Sequence, residues 1–242
     1  MVERALVIVP TYNESETITE VVRRLFEAVA DNVDLLVVDD GSPDGTADIV
    51  KKLAIEEPRI HLLERGAKRG LGDAYRTGFR WALGRGYAAV VEMDADLSHD
   101  PTDVPRFLAA LDDADLVIGS RYVPSGRVEN WSAFREALSR YGNRYAGFWL
   151  RFGVRDATSG FRAFRAAALE NIDLDRVASQ GYGFQIEMVR RVFLDGGRIV
   201  EIPITFVERV AGRSKMSRRI VFEALLQVTR WSLNDLFRRK TG

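Results

Sequence analysis

Short apolar runs rich in Val, Ile and Leu alternate with helical patterns in the first half of this sequence, and this alternation constrains the fold more than any other feature. Five runs predict buried strands, at residues 5–9, 33–38, 60–64, 88–93 and 115–119. Helices are predicted between them, at 45–56, 72–84, 103–111 and over 18–29, the last with Asn13 as its cap. Strands that alternate with helices predict an α/β fold, a mostly parallel sheet flanked by helices.

Polar segments follow three of the predicted strands. They are "PTYNE" (10–14), "DDGSPDG" (39–45) and "DADLSH" (94–99). Ligands of open parallel sheets bind outside the carboxyl ends of the strands, so we expect these segments to line the functional site. Asp39 and Asp40 in the second segment either form a tight turn or accept hydrogen bonds from a nucleotide, and the two roles are compatible.

Asp94 and Asp96 are separated by one residue where a predicted strand meets a loop. Aspartate commonly caps turns at such junctions, which is the simplest interpretation. The alternative is that both carboxylates project in the same direction, with Asp96 facing solvent. Their mutual repulsion would then favour a bound cation, and oxygen ligands favour Mg²⁺ or Mn²⁺.

Composition excludes several classes of function. The 242 residues include no cysteine, which excludes disulfides and thiolate chemistry, and two histidines are too few for a histidine-rich metal centre. Thirty-five basic residues balance 35 acidic ones, so no overall charge favours nucleic acid as a partner. Dinucleotide and phosphate-loop glycine motifs are missing. No apolar run suits a membrane span or a signal peptide, so a cytoplasmic protein is expected.

The second half carries one more predicted strand, 197–206, and two amphipathic helical patterns. The first pattern, over 132–152, has an apolar stripe edged by arginines, and it suits either a core helix or a helix at a membrane surface. The stripe comprises Phe134, Leu138, Tyr141, Tyr145, Phe148 and Phe152, and the edge comprises Arg140, Arg144 and Arg151. The second pattern is C-terminal and has basic ends. We predict one catalytic domain over 1–212, with 213–242 as its basic, membrane-proximal amphipathic helical extension.

Seven motifs in register resemble those of glycosyltransferase family 2. They are "PTYNE", "VVDDGSPDGT", "RGLGDAYRTGF", "MDADLSHDP", "GSRYV", "SGFRAF" and "ERVAGRSKM", spread from the first strand to about residue 220. The combination is most similar to the dolichyl- and polyprenyl-phosphate mannose synthases. This resemblance implies a GT-A nucleotide-sugar fold and a divalent metal, Mg²⁺ or Mn²⁺. It also implies inverting transfer of mannose from GDP-mannose to a polyprenyl or dolichyl phosphate.

The same resemblance assigns roles to individual residues. The implied nucleotide-sugar pocket comprises Pro10, Tyr12, Glu14, Asp39, Asp94, Ala95, Asp96, Arg121, Arg209 and Lys215. Asp94 and Asp96 fall on the family's D-x-D motif and are the implied metal ligands. Asp96, Arg121, Arg209 and Lys215 are the implied catalytic residues, the three cations lying near the phosphates. Some relatives have Gln where this chain has Ser98, whose shorter side chain makes metal ligation by Ser98 doubtful. His99 is interpreted as structural rather than as a base.

Alternative functions remain open at the level of sequence. The donor could be UDP-glucose or another nucleotide sugar, and the chain could be a membrane-binding scaffold without activity. A sugar-nucleotide synthesising enzyme is disfavoured, because the expected glycine- and arginine-rich phosphate loop is missing. A lipid acceptor implies that the protein works peripherally at the cytoplasmic face of a membrane. It would reach that membrane surface through its own helices or through a membrane-protein partner.

Overall fold

A central sheet of seven strands organises the protein. The computed structural model describes residues 2–67, 69–208 and 223–233. Its strands are β1 (Ala5–Thr11), β2 (Val33–Asp39), β3 (Ile60–Glu64), β4 (Ala89–Glu92), β5 (Leu116–Ser120), β6 (Arg127–Glu129), β7 (Arg162–Arg165), β8 (Ile199–Pro203) and β9 (Thr205–Val207). The main sheet has the order β3-β2-β1-β4-β7-β5-β8. Strand β7 runs antiparallel to both β4 and β5, while the other pairs of this sheet are parallel.

Helices cover both faces of the sheet, as the alternation predicts. They are α1 (Ile18–Ala28), α2 (Thr46–Glu56), α3 (Leu71–Leu83), α4 (Val104–Ala110), α5 (Ala133–Leu150), α6 (Ala166–Glu170) and α7 (Gly181–Leu194), and residues 223–233 are also helical. Successive residues of β1 enter opposite layers of the core, because side chains alternate along a strand. Val7 packs in the layer that contains Leu25 of α1, and Ile8 packs in the layer that contains Phe79 of α3 and Phe184 of α7.

Two local predictions are wrong. The expected strand over 197–206 is interrupted at Ile204, so that β8 joins the main sheet and β9 pairs with β6 in a separate two-stranded sheet. Asn13 does not cap α1, which begins at Ile18 after Thr17. Asn13 instead adopts a left-handed conformation, with φ of 59°, and its amide donates to Ser42 Oγ at 3.0 Å. The loop after β2 therefore engages the residue that was expected to start the helix.

The described part of the C-terminal extension packs against the body of the protein. Val228 is buried, and the hydroxyl groups of Tyr145 and Thr229 form a 2.7 Å hydrogen bond between α5 and this helix. The division between 1–212 and 213–242 stays a prediction. Arg209, Lys215 and the basic residues flanking the helix lie outside the described residues.

The apolar stripe predicted over 132–152 divides into two parts. Phe134, Tyr141 and Phe148, which are spaced seven residues apart, are exposed on α5. Tyr145 packs against the core, and Phe152 is buried beyond the end of the helix. Within the described residues, no helix combines the length and the apolar character that a bilayer span requires.

Candidate active site

The loops after β1 and β2 are tied together at the carboxyl end of the sheet. Pro10, Tyr12 and Glu14 are all half-buried there. The Glu14 amide donates to the Thr46 hydroxyl at 3.1 Å, which fixes the first loop to the start of α2. The three residues that were predicted to line a nucleotide pocket therefore share one edge of the sheet.

Asp39 organises the turn that follows β2. Its side chain is buried, and one carboxylate oxygen accepts from the amides of Gly41 and Ser42 at 3.0 and 2.8 Å. The other oxygen accepts from the hydroxyl groups of Thr11 and Ser42 at 2.8 and 2.6 Å. These four donors bear out the turn interpretation, and a contact between Asp39 and a nucleotide stays a prediction.

Next to this turn lies a buried network of charges that the sequence reasoning missed. Arg65 Nε lies 3.2 Å from Asp40 Oδ1, and a second guanidinium nitrogen of Arg65 lies 2.7 Å from Asp73 Oδ2. Arg76 pairs with the other oxygen of Asp73 at 2.5 Å. Burial raises the pKa of Asp40 and outweighs the opposing attraction of Arg65. The network joins the ends of β2 and β3 to the first turn of α3.

The D-x-D loop after β4 folds back on itself. Leu97 adopts a left-handed conformation, with φ of 62°, which returns the chain towards Asp96. Ser98 then donates to Asp96 Oδ1 from its amide at 3.1 Å and from its hydroxyl at 2.5 Å. The expectation that Asp96 faces solvent is wrong, because Asp96 is 5% exposed, whereas Asp94 is half-buried and Ala95 between them is buried.

The residues present fit a cation that brings further ligands with it. Among the described residues, no three His, Cys, Asp or Glu side chains gather closely enough to hold a metal ion. Asp94 and Asp96 offer carboxylates, and Mg²⁺-like ions usually complete their shells with water and substrate phosphates. Ser98 is 1% exposed and its hydroxyl donates to Asp96, so its observed role is to hold Asp96.

His99 supports Asp94 as a neutral imidazole. Its Nδ1 accepts from the Asp94 amide at 3.1 Å, which requires the lone pair on that nitrogen. The ring stacks on Phe161 at 4.8 Å and meets Phe206 edge-on at 5.5 Å. Burial lowers the pKa of His99. These contacts agree with the structural interpretation of this histidine.

Two fully buried charged residues that the sequence reasoning missed lie on neighbouring strands, and neither carboxylate oxygen of Glu92 has a hydrogen-bond partner among the described residues. Glu92 on β4 and Arg162 on β7 are register partners, and neither is exposed. Arg162 donates to the carbonyl oxygens of Ala157, Ser159 and Gln185 at 2.6 to 2.7 Å. Burial raises the pKa of Glu92 to about 7, against the attraction of Arg162. Arg162 therefore links the loop before β7 to α7.

Arg121, predicted near the phosphates, is bound to Asp156 in a buried ion pair. Its amide and Nε donate to Asp156 Oδ2 at 2.9 and 2.7 Å, and one Nη donates to Oδ1 at 2.6 Å. The same nitrogen donates to the Thr158 hydroxyl at 3.0 Å. Burial opposes ionisation of Asp156, but Arg121 outweighs it and lowers the pKa of this carboxyl. A direct contact between Arg121 and a phosphate stays a prediction.

A second arginine, Arg135, lies near the same indole ring as Arg121, that of Trp131. The Arg135 guanidinium lies 4.1 Å from the centre of the Trp131 ring, and that of Arg121 lies 5.4 Å from it. Arg135 also pairs with Glu208. Arg135 Nε and Trp131 Nε1 are buried and have no hydrogen-bond partner among the described residues. This cluster was also missed, since nothing in the sequence connects "NWSAFRE" to the motifs.

An apolar cavity adjoins the arginine cluster. It has about 530 Å³ of empty space, its open mouth included, and lies between α5, α7 and the helix over 223–233. Its lining consists of Trp131, Leu138, Ser139, Gly142, Thr158, Tyr182, Ile186, Ala224, Leu225 and Val228. Thr158 and Trp131 belong to both the lining and the arginine cluster. The apolar cavity therefore adjoins the guanidinium groups and hydrogen-bond donors of the arginine cluster.

This mostly parallel sheet flanked by helices has the GT-A fold. The family model described as "Glycosyl transferase family 2" matches residues 6–173. The chain belongs to glycosyltransferase family 2, and it is therefore assigned to the enzymes that transfer sugars.

Two curated relatives match almost the whole chain. An undecaprenyl-phosphate mannosyltransferase of Micrococcus luteus is 53% identical over 230 residues, covering 95% of this chain and 94% of its own. A polyprenol monophosphomannose synthase of Mycolicibacterium smegmatis is 49% identical over 242 residues, covering 99% of this chain and 91% of its own.

Solved structures extend the likeness at the level of the fold. A mannosyltransferase from Pyrobaculum calidifontis, in complex with GDP-Man and Mn²⁺, has a TM-score of 0.65 and 24% identity; the match covers 96% of this chain and 64% of that protein. Glucosyl-3-phosphoglycerate synthase from Mycobacterium tuberculosis, in complex with Mn²⁺ and UDP, has a TM-score of 0.65 and 20% identity. This match covers 98% of this chain and 80% of that protein.

Proposed function

We propose that this enzyme transfers mannose, with inversion, from GDP-mannose to a polyprenyl or dolichyl monophosphate and thereby produces a lipid-linked sugar donor. The observation that carries the proposal is that Phe206 contacts both His99 of the D-x-D loop and Arg121 of the arginine cluster, which adjoins the apolar cavity. The names of the two relatives, which match over nearly their whole lengths, support mannose and a polyprenyl phosphate as the substrates.

The donor would bind along the carboxyl edge of the sheet. Asp94 and Asp96 would hold a divalent cation, Mg²⁺ or Mn²⁺, which supplies neutralisation of the diphosphate leaving group when bound. Asp39, Pro10, Tyr12 and Glu14 would line the nucleotide side of the pocket, and Ala95 would pass beneath the sugar. Arg209 and Lys215, from the segment after β9, would stabilise the charge that develops on the leaving diphosphate.

The acceptor would place its phosphate at the arginine cluster and its isoprenoid chain in the cavity. The lining is mainly apolar, which suits a hydrocarbon chain, whereas Ser139 and Thr158 contribute hydroxyl groups to it. Trp131 Nε1 and Arg135 Nε offer two further donors. An anion is favoured where such donors and guanidinium groups converge.

A phosphate acceptor explains why the site needs no general base. The second pKa of a phosphate monoester is about 6, so the nucleophile is already mostly a dianion at neutral pH. His99, whose Nδ1 accepts a hydrogen bond from the Asp94 amide, takes no part in catalytic proton transfer in this scheme. The chain's own residues orient the two substrates, and the cations among them stabilise the leaving group.

The direct test is a transfer assay with labelled donor and full-length protein. GDP-mannose and UDP-glucose are each incubated with a polyprenyl phosphate and Mg²⁺ or Mn²⁺, and extraction into organic solvent reports the lipid-linked sugar. We expect transfer from GDP-mannose that stops when the metal is chelated. If UDP-glucose is used and GDP-mannose is not, the proposed donor becomes UDP-glucose and the transferred sugar becomes glucose. If neither donor is used, a scaffold without activity becomes the better account.

Gly142 permits a separate test of the acceptor cavity. A Cβ added there meets no other atom within 4 Å, so Gly142→Leu adds volume to the cavity wall without forcing the backbone to move. In helix α5 this change should be neutral or stabilising, by up to about 1 kcal/mol, because glycine is a poor helix former. We expect a raised KM for the lipid acceptor and an unchanged KM for GDP-mannose. Gly142→Ala, which adds one methyl group, is the matched control.

The exposed aromatic face of α5 supports peripheral binding to a membrane surface. Phe134, Tyr141 and Phe148 are 77%, 60% and 73% exposed, and Leu226 and Leu233 are exposed on the adjoining C-terminal helix. A lipid acceptor stays in the bilayer, so the enzyme must reach it there. We expect co-sedimentation with anionic vesicles that weakens as salt rises and is reduced in Tyr141→Ser/Phe148→Ser. If the protein stays in the supernatant at low salt, a membrane-protein partner is the better route.

A further inference from the structure

The two arginines of the cluster have ionic partners of very different accessibility. Arg121 is enclosed with Asp156, whose side chain is 0% exposed and which accepts three hydrogen bonds from Arg121. Arg135 contacts Glu208, whose side chain is 36% exposed. The Arg135 side chain is 17% exposed, so in this pair the Glu208 carboxylate is the partner that solvent reaches, whereas a fully buried pair is costly to break. The contact between Arg135 and Glu208 is therefore the one that a ligand can displace.

We propose that Glu208 holds the anion position at Arg135 when no acceptor is bound, and that the acceptor phosphate displaces it. Glu208 would then set the affinity for the acceptor by competing with it. The inference rests on the proposed function for the identity of the displacing anion, and it adds a carboxylate that tunes acceptor binding from within the chain.

The backbone geometry suits an exchange that moves only the side chain of Glu208. The Glu208 amide donates to the carbonyl of Glu129 at 3.1 Å, which continues the pairing of β9 with β6. Arg135 is held separately, because its amide donates to Ser132 Oγ at 3.3 Å and its guanidinium lies on the Trp131 ring. Both partners can therefore separate while their backbones stay fixed.

Charge favours the phosphate in this competition. A phosphate dianion carries more charge than a carboxylate and presents oxygens that match the guanidinium fork. Arg135 Nε, which has no hydrogen-bond partner among the described residues, provides a further donor for the incoming group. Removing the negative charge of Glu208 also removes its repulsion of the dianion.

Isothermal titration of the full chain with a soluble ten-carbon isoprenyl monophosphate tests the proposal without requiring turnover. For Glu208→Gln we expect binding about threefold to tenfold tighter than for the wild type at low ionic strength, the size of one charge interaction at close range. The difference should shrink as salt is added. In the transfer assay, the KM for the lipid acceptor should fall by a similar factor while kcat and the KM for the donor stay unchanged.

A neighbouring carboxylate provides the matched control. Glu129 lies on the adjacent strand, its side chain is 44% exposed, and it pairs with Arg127 at 3.0 Å. Glu129→Gln removes the same charge from the same region and should change the affinity less than about twofold, as expected for a charge screened by solvent.

The competition is specific to Arg135 if the effect of Glu208→Gln disappears in an Arg135→Gln background. Unchanged or weaker isoprenyl phosphate binding in Glu208→Gln would overturn the proposal, as would an equal gain in Glu129→Gln. Tighter binding of GDP instead would also overturn it, because Arg135 would then serve the donor. Loss of transfer activity in the wild type, with these binding results intact, would contradict the proposed function alone.

Discussion

Replacing Asp156 with alanine tests whether its pair with Arg121 holds this side of the site together. The change removes the acceptor of three Arg121 hydrogen bonds at 2.6 to 2.9 Å and of one from Asn143 at 3.3 Å. Arg121 is 4% exposed, so its charge would remain buried without a partner. Breaking a buried pair in this way costs about 3–5 kcal/mol. For a chain of this size, that loss lowers Tm by roughly 10 °C.

Urea unfolding followed by circular dichroism measures this cost. The control is Arg176→Ala, which breaks an exposed pair with Asp173 whose side chains are 83% and 53% exposed and leaves the hydrogen bond from the Asp175 amide to Asp173 in place. We expect the control to change the free energy of unfolding by less than about 0.5 kcal/mol, because exposed pairs contribute little. If the two variants differ by less than about 1 kcal/mol, the buried pair does not carry the stability assigned to it.

An apolar replacement of both partners separates stability from function. Arg121→Met/Asp156→Leu removes both charges of this pair, and it should recover much of the stability that Asp156→Ala loses. We expect the double variant to remain poorly active, because Thr158 loses its contact with Arg121 and the cavity mouth loses a cation. Full activity in a stable double variant would show that the pair serves the fold alone.

Three further outcomes are expected. Asp96→Asn, which keeps an oxygen acceptor for Ser98, should abolish transfer while circular dichroism stays unchanged, and wild-type rates in this variant would contradict the metal site. Alanine at Arg209 or Lys215 should cost about 2–4 kcal/mol of transition-state stabilisation, measured as kcat/KM, because each is expected to stabilise the leaving group. Burial raises the pKa of Glu92 from 4.5 to about 7, so its contribution to stability is complete below pH 4.5 and is lost as pH rises through about 7. The free energy of unfolding should therefore fall by about 3 kcal/mol across that range in the wild type and stay flatter in Glu92→Gln, measured by urea titration at each pH.

The sequence alone determined the strands and helices of the first half, because their signals are local. The run at 5–9 is continuously apolar, as a strand buried on both faces requires. The predicted helices at 45–56, 72–84 and 103–111 occur as Thr46–Glu56, Leu71–Leu83 and Val104–Ala110. The carboxyl-edge rule then placed the segments after β1, β2 and β4 together without knowledge of their contacts.

The tertiary structure decided which distant residues meet. The four residues of β7 are too few for a periodic pattern, yet this strand inserts antiparallel between β4 and β5. That insertion sets Arg162 beside Glu92, and the loop that leads into it brings Asp156 to Arg121, 35 residues away in sequence. Strand order and long-range ion pairing depend on how complete elements pack, which local patterns do not encode. The carboxylates of the D-x-D loop were therefore predictable from sequence, whereas the buried Arg121–Asp156 pair was not.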